Sequence, residues 1–271
     1  MFRIRFHGRG GQGMKTASRI LGSAFFLEGY EVQDAPRYGA ERRGAPIFAY
    51  VRASRKAINE RGVIHHPDLV VVADDSLVPV PAAGVLQGLD SRTTLLINSH
   101  TAPEVWQKRL NLAATILILP ATEELDDRAE LPMAGTACAG ASARLIGVIS
   151  RDALANAIRS ELAALGPQAL DENLKTALHA YDLMATYTGS VTEGTETSAS
   201  GYARPDWVDM ASEAVDRAAP SIHAAATSVQ VKTGLWRTLR PVIDYDRCKR
   251  CWWVCCTFCP DSASSVDSQH R

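Results

Sequence analysis

Residues 2–7, Phe-Arg-Ile-Arg-Phe-His, alternate apolar and basic side chains, the period of a strand with two unlike faces. Glycines follow at positions 8, 10, 11 and 13, and Met14–Gly29 then places apolar residues at helical spacing and stops at Gly29. A second strand is expected near Tyr30–Gln33, and another at Ala45–Arg52 after the turn-rich run Asp34–Gly44. Leu69–Ala73, Thr94–Asn98 and Ala114–Leu119 are short and nearly all apolar, as strands buried on both faces are. Helical segments are expected at Pro103–Leu110, Cys138–Ile149, Arg151–Leu165 and Asp171–Met184. Strands alternating with helices predict an α/β fold, a parallel-rich sheet flanked by helices.

The texture changes near residue 186. The run Thr186–Asp206 is small, polar and without an apolar period, and a second such run follows a weakly helical stretch at Asp206–Arg217. The expected organisation is therefore an α/β domain over 1–185, a linker with a short helix over 186–231, and a cysteine-bearing segment over 232–271. No internal repeat is visible.

The net charge of −1 gives no basic footprint, which argues against a nucleic-acid partner. No apolar run approaches the roughly 20 residues that span a bilayer, so no membrane role is expected. The chain opens directly on a strand pattern without an apolar leader, and clustered thiols without a leader point to the cytoplasm.

Five of the six cysteines stand in the run Cys248-Lys-Arg-Cys251-Trp-Trp-Val-Cys255-Cys256-Thr-Phe-Cys259-Pro260. Thiolates at such intervals, with a proline after the last, are how ferredoxin-type proteins hold a [4Fe-4S] cluster. Cys248 and Cys251 fit the first two positions of that pattern, and Cys255 and Cys259 the last two. The middle interval is three residues where two are usual, which leaves Cys256 as the alternative third ligand. No second cysteine run follows. Either Cys259 closes a single cluster, or another chain completes a two-cluster module, or the segment is truncated. Four thiolates also suit zinc, although zinc sites usually come as two separated knuckles. Cys138 stands alone among small and apolar residues and reads as a buried structural cysteine.

Gly8-x-Gly10-x-x-Gly13, after a strand and before a helix, meets the dinucleotide-binding fingerprint, with Asp34 about 21 residues further on. A backbone loop of this kind at a helix N-terminus suits phosphate. Two other readings stand beside it: the glycines simply permit a close strand–helix turn, or the loop docks a partner. Arg9 and Gln12 within the loop, and the arginine-rich Tyr38–Gly44, weigh toward a partner or an anionic group. His65 and His66 read as loop residues, and Asp74 and Asp75 as turn residues after a strand.

Taken together, Gly10-Gly11-Gln12-Gly13 and Tyr38-Gly39-x-Glu41-Arg42-Arg43-Gly44-Ala45-Pro46 resemble the gamma subunit of the 2-oxoacid:ferredoxin oxidoreductases, of which the pyruvate enzyme is the best-known member. The likeness covers about residues 1–185. Lys232-Thr233-Gly234, Trp236-Arg237 and Arg240-Pro241-Val242 look like the start of the small, ferredoxin-like delta subunit of the same complexes. The resemblance implies a gamma-type fold, a polar linker and a truncated delta-like segment. It also implies a subunit of an enzyme that converts a 2-oxoacid to an acyl-CoA and is not active alone. Alpha- and beta-type subunits would be its partners, and ferredoxin the electron acceptor. Thiamine diphosphate, Mg and CoA would lie mainly on those other subunits, and the [4Fe-4S] cluster on Cys248, Cys251, Cys255 and Cys259. Gly8, Gly10, Gly11, Gln12, Gly13, Arg42 and Arg43 are the candidate contacts to CoA or to a subunit interface. The rival readings are a stand-alone nucleotide-dependent oxidoreductase, and a purely structural subunit with a non-functional ferredoxin segment.

Overall fold

The computed structural model describes residues 1–37, 44–121, 134–195 and 242–249. The last of these stretches belongs to a separate compact unit, Leu239–Arg271. Arg42, Arg43, Cys251, Cys255, Cys256, Cys259 and the helix expected at 206–217 lie outside the described residues.

In chain order the elements are β1 (Phe2–Arg9), α1 (Met14–Leu27), β2 (Glu31–Arg37), β3 (Pro46–Ser54), β4 (Leu69–Val72), β5 (Thr94–Ser99), α2 (Pro103–Leu110), β6 (Thr115–Pro120), α3 (Gly135–Ile146), α4 (Arg151–Glu161) and α5 (Pro167–Leu183). The six strands form one sheet in the order β2-β3-β1-β4-β5-β6. β1, β4, β5 and β6 are parallel, while β3 runs antiparallel to both β1 and β2. The expected mixed α/β architecture is present. The antiparallel pair arises because only a short loop joins β2 to β3, and a parallel return would need a crossover of a dozen residues or more.

Helix boundaries follow local chemistry. α3 stops at Gly147, whose φ of +78° supplies the left-handed C-cap. Ser150 caps α4 by accepting the Ala153 amide. Pro167 at the first position starts α5 earlier than the expected Asp171, because a missing N–H costs nothing there.

The sheet has two different faces. On one, Phe2, Ile4 and Phe6 of β1 join Leu69, Val71 and Leu96 beneath α1, α3, α4 and α5. On the other, Val70, Val72, Leu95 and Ile97 pack under Leu77, Val78 and Trp106. α3 and α5 cross so closely that a Cβ at Gly140 would run into the Ala177 carbonyl. Gly140→Ala is therefore expected to lower stability by about 1–3 kcal/mol despite the better helix propensity of alanine, read as a lower thermal midpoint.

Candidate functional site

β1 carries the chain's most unusual local arrangement. Its residues that point away from the helical core are Arg3, Arg5, His7 and Arg9, and all four are buried. An alternating apolar–basic strand ordinarily keeps its charges in water. Here the covering layer supplies acceptors instead. Arg3 grips Glu60 with a two-pronged contact, Nε to Oε2 at 3.0 Å and Nη2 to Oε1. Arg5 donates to the carbonyls of Ile64, Val85 and Gln87 at 3.3, 2.9 and 2.7 Å. Burial lowers its pKa to about 10, which leaves it charged at neutral pH. His7 Nδ1 donates to the Ala83 carbonyl at 3.0 Å, and its Nε2 is buried without a hydrogen-bond partner among the described residues. Cross-strand from Arg3, the buried Arg52 donates to Gln33 and to the Gly62 carbonyl, each at 2.9 Å.

The column ends at the carboxyl edge of the parallel strands. Between β1 and β4 the chain's connections diverge: β1 leads through α1 to one side, and β4 leads to β5 on the other. Ligands of open α/β sheets bind at such a switch point. Here Arg9 occupies it. Its Nε donates to Asp74 Oδ2 at 2.7 Å, its Nη1 to the Gly44 carbonyl at 3.1 Å, and its Nη2 to Ser76 Oγ at 2.8 Å. The Arg9 and Asp74 side chains are 8% and 16% exposed, so this is a largely desolvated ion pair. Gly10 N–H donates to the Ala45 carbonyl at 2.8 Å and Gly44 N–H to the Gly10 carbonyl at 3.1 Å, which ties the glycine loop to the end of the arginine-rich loop. Beside them, Ser99 Oγ donates to Asp75 Oδ2 at 2.6 Å and accepts from Trp106 Nε1 at 3.3 Å. Reading Asp74 and Asp75 as mere turn residues missed these partnerships. The available signal was β1's alternation, which puts Arg9 on the same face as Arg3, Arg5 and His7.

One side chain of the glycine loop folds back onto it. Gln12, buried, accepts the Arg9 amide on its Oε1 at 2.7 Å, the kind of backbone donor that a phosphate would use. A Cβ at Gly8 would meet Met14 Cγ at 2.5 Å, and Gly13, at φ +79°, abuts Gly135 at the start of α3. Close packing therefore excludes a side chain at Gly8, and the left-handed backbone favours glycine at Gly13. Asp34 pairs with Val51, which pairs with Ile4, so it sits at mid-strand and two strands away from β1. Its surroundings are Arg19, Gly22 and Glu161 around a cavity of about 270 Å³, and the ribose position of the dinucleotide fingerprint is not met.

A larger cavity of about 680 Å³ lies at the opposite, amino end of β1, lined by Arg3, Arg55, Lys56 and Glu60 among others. There Asp68, nearly buried, accepts the Arg3 amide at 2.7 Å, and burial pushes its carboxyl up to about 6. The segment after α5 returns to this end, with Gly194 N–H donating to the Met1 carbonyl at 3.1 Å.

His65 is half-buried and His66 exposed, as loop residues are. Cys138 is fully buried, as expected, and desolvation pushes its thiol up to about 12. Of the five clustered cysteines only Cys248 is described. It follows a turn in which Asp244 accepts the amides of Asp246 and Arg247 at 3.0 and 3.2 Å, and its own amide donates to the Asp244 carbonyl at 2.9 Å. Among the described residues no group of three or more His, Cys, Asp or Glu could hold a metal ion, and no helix is long and apolar enough to cross a membrane.

A six-stranded, mostly parallel sheet, with α1, α3, α4 and α5 over one face and α2 over the other, defines an α/β domain whose glycine loop is bonded to the residues entering β3. The family profile described as pyruvate ferredoxin/flavodoxin oxidoreductase matches residues 3–183, and the chain belongs to that family. The common gamma subunit of the pyruvate/ketoisovalerate oxidoreductases of Pyrococcus furiosus is 38% identical over 184 residues, 67% of this chain and 96% of that protein. Pyruvate synthase subunit PorC of Methanocaldococcus jannaschii is 36% identical over 185 residues, 68% of this chain and 97% of that protein. The crystal structure of pyruvate oxidoreductase subunit PORC from Thermotoga maritima is 32% identical and superposes with a TM-score of 0.55, covering 67% of this chain and 95% of that one. The expected gamma-type likeness is thus present over the first two thirds of the chain.

Two buried groups give opposite pH dependences. His7 is held neutral, with its pKa lowered to about 3 chiefly by desolvation, so its stabilising contribution is present above the unfolded value near 6.5 and is lost as pH falls. Asp68, raised from 3.8 to about 6, contributes stability that is present below pH 4 and lost as pH rises through 6. Between about pH 4 and 6 the two oppose each other. Urea midpoints across that window are expected to show Asp68→Asn as more acid-labile than the wild type, and His7→Phe as gaining stability on acidification.

Proposed function

We propose that this chain is the gamma-type subunit, extended by a delta-like segment, of a complex that oxidises a 2-oxoacid such as pyruvate. The supporting observation is the closed carboxyl edge. The glycine loop and switch point, where an independent nucleotide-dependent enzyme would hold its cofactor, are occupied by Gln12 and by the Arg9–Asp74 pair. Relatives that match over nearly their whole length are named as subunits of such oxidoreductases.

In the proposed reaction the bond between the carboxylate and the oxo carbon breaks, CO2 leaves, and the acyl carbon bonds to the CoA sulfur. One proton and two electrons are released. Thiamine diphosphate with Mg, held by alpha- and beta-type subunits, would supply the decarboxylation chemistry. The electrons would leave one at a time to ferredoxin through a [4Fe-4S] cluster on Cys248, Cys251, Cys255 and Cys259, with Cys256 as the alternative third ligand. The Asp244-capped turn fixes the backbone entering the first of these thiolates. What this chain contributes is the scaffold and the electron outlet, with Arg42 and Arg43 at an interface or at the CoA phosphates.

Co-expression with alpha- and beta-type thiamine subunits is expected to give CoA-dependent, pyruvate-driven reduction of a viologen dye, with no activity from this chain alone. Activity from this chain alone with NAD or FAD would overturn the reading. Anaerobically reconstituted wild-type chain should be brown and contain iron. Cys251→Ala should lose both while Cys138→Ala keeps them, and equal iron in the two variants would refute the ligand assignment.

A further inference from the structure

The α/β domain continues past its last helix. After α5 the stretch Thr188–Thr195 runs from the helical layer, across the amino edge of the sheet, to the loops that enter β4 and β5. The family profile ends at residue 183, so this strap lies beyond the matched residues. Its hold on the domain is narrow. Val191 is the one buried side chain among its eight residues, and the Val191 N–H donates to the Leu145 carbonyl at 3.0 Å. Further along, Gly194 N–H donates to the Met1 carbonyl at 3.1 Å, and Thr195 Oγ1 accepts from Arg92 Nη1 at 3.4 Å. At Gly194 the fit is close enough that a Cβ would run into Asp68 Oδ1 and Arg3 Nη1. Glu193 and Gly194 also wall the cavity of about 680 Å³, together with Arg3. Seating the strap therefore helps to keep the Asp68 carboxyl out of water, and lifting it would let water back. Three cations stand near this seat. The Arg3 guanidinium and the Met1 amino group favour a charged Asp68, and each has a carboxylate of its own in Glu60 and Glu193, while Arg92 holds Thr195.

We propose that Thr188–Thr195 is a proton-controlled latch. Seated on a neutral Asp68, it completes the wall of the amino-edge cavity and pins the start of the linker to the sheet; charging Asp68 lets it lift as a unit while the domain stays folded. The sign follows from burial, which outweighs both neighbouring cations and pushes the carboxyl from its ordinary 3.8 up to about 6. The hold on the strap is full below pH 4 and is lost as pH rises through 6. A short segment anchored by one buried side chain is the kind that opens locally, ahead of the sheet. Lifting it exposes Arg3 and Asp68 and moves the origin of the C-terminal tether from the amino edge back to the end of α5. The latch does not depend on the subunit reading given above.

The test is amide exchange in the full chain, expressed as protection relative to the unstructured peptide so that the intrinsic pH dependence of exchange cancels. Between pH 4.5 and 7, protection at Val191 and Gly194 is expected to fall at least tenfold. At both values it should stay at least tenfold below that of Val71 and Ile97 in the sheet. Asp68→Asn, which cannot charge, should change less than twofold over the same range. Gly194→Ala, which is too large for the seat, should lower protection at Val191 at least tenfold at pH 4.5 and leave the circular dichroism spectrum unchanged. If Asp68→Asn does not fold, Gly194→Ala carries the comparison, since an unseated strap should lose the pH dependence as well.

Equal protection at Val191, Gly194, Val71 and Ile97 would mean that the strap leaves only with the whole domain, and would overturn the latch. Protection at Gly194 that stays constant with pH in the wild type would overturn its control by a proton. A fall that persists in Asp68→Asn would overturn the choice of Asp68.

Discussion

The constraint on which the rest of the structure depends is the burial of four basic side chains on one face of β1. A buried cation without acceptors is prohibitively costly, so the chain must bring oxygen atoms to each of Arg3, Arg5 and Arg9, and must keep His7 neutral. That requirement dictates the course of the segment between β3 and β5. Glu60 meets Arg3, the carbonyls of Ile64, Val85 and Gln87 meet Arg5, that of Ala83 meets His7, and Asp74 meets Arg9. The second layer over this half of the sheet is held by polar contacts, while the half under Trp106 and Leu77 is held by apolar packing. A single strand thus organises both faces: Phe2, Ile4 and Phe6 seat the helices, and the residues between them seat the loops.

The same economy explains the carboxyl edge. In a dinucleotide-binding sheet the switch point stays open and the glycine loop presents bare amides. Here the last cation of the column closes the first, and a glutamine side chain takes an amide of the second. The glycines persist because Met14 and the start of α3 press against the loop. One sequence fingerprint therefore covers two opposite uses, and the side chains within it decide between them.

Most of the fold was legible in the sequence. The all-apolar runs became β4, β5 and β6, α2 lies where its pattern placed it, and the lone Cys138 is buried. Less legible was the fate of the charges. Alternation gives the faces of a strand but not what covers them, and Arg3, Arg5 and His7 find most of their acceptors on main-chain atoms or on residues 57 to 82 positions away. Main-chain carbonyls carry no residue signature. Asp34 illustrates the converse error: its distance along the chain fits the fingerprint, but the insertion of β3 between β1 and β2 removes it from the loop. The gamma-type likeness was readable from the residues of two glycine-bounded motifs, and Gly10 of one proves to be hydrogen-bonded to Gly44 and Ala45 of the other.

Because the hydrogen bonds that Arg5 and His7 do make go to the carbonyls of Ile64, Ala83, Val85 and Gln87 rather than to side chains, the covering layer is recognised by its backbone path. Tolerance to substitution should then be lopsided. The bonded loop positions can drift to many residue types that preserve the backbone path, whereas the strand beneath them is held to its guanidinium and imidazole. Among related proteins, the lasting mark of this architecture would be the basic alternation of the first strand, even where the loops above it share no residues.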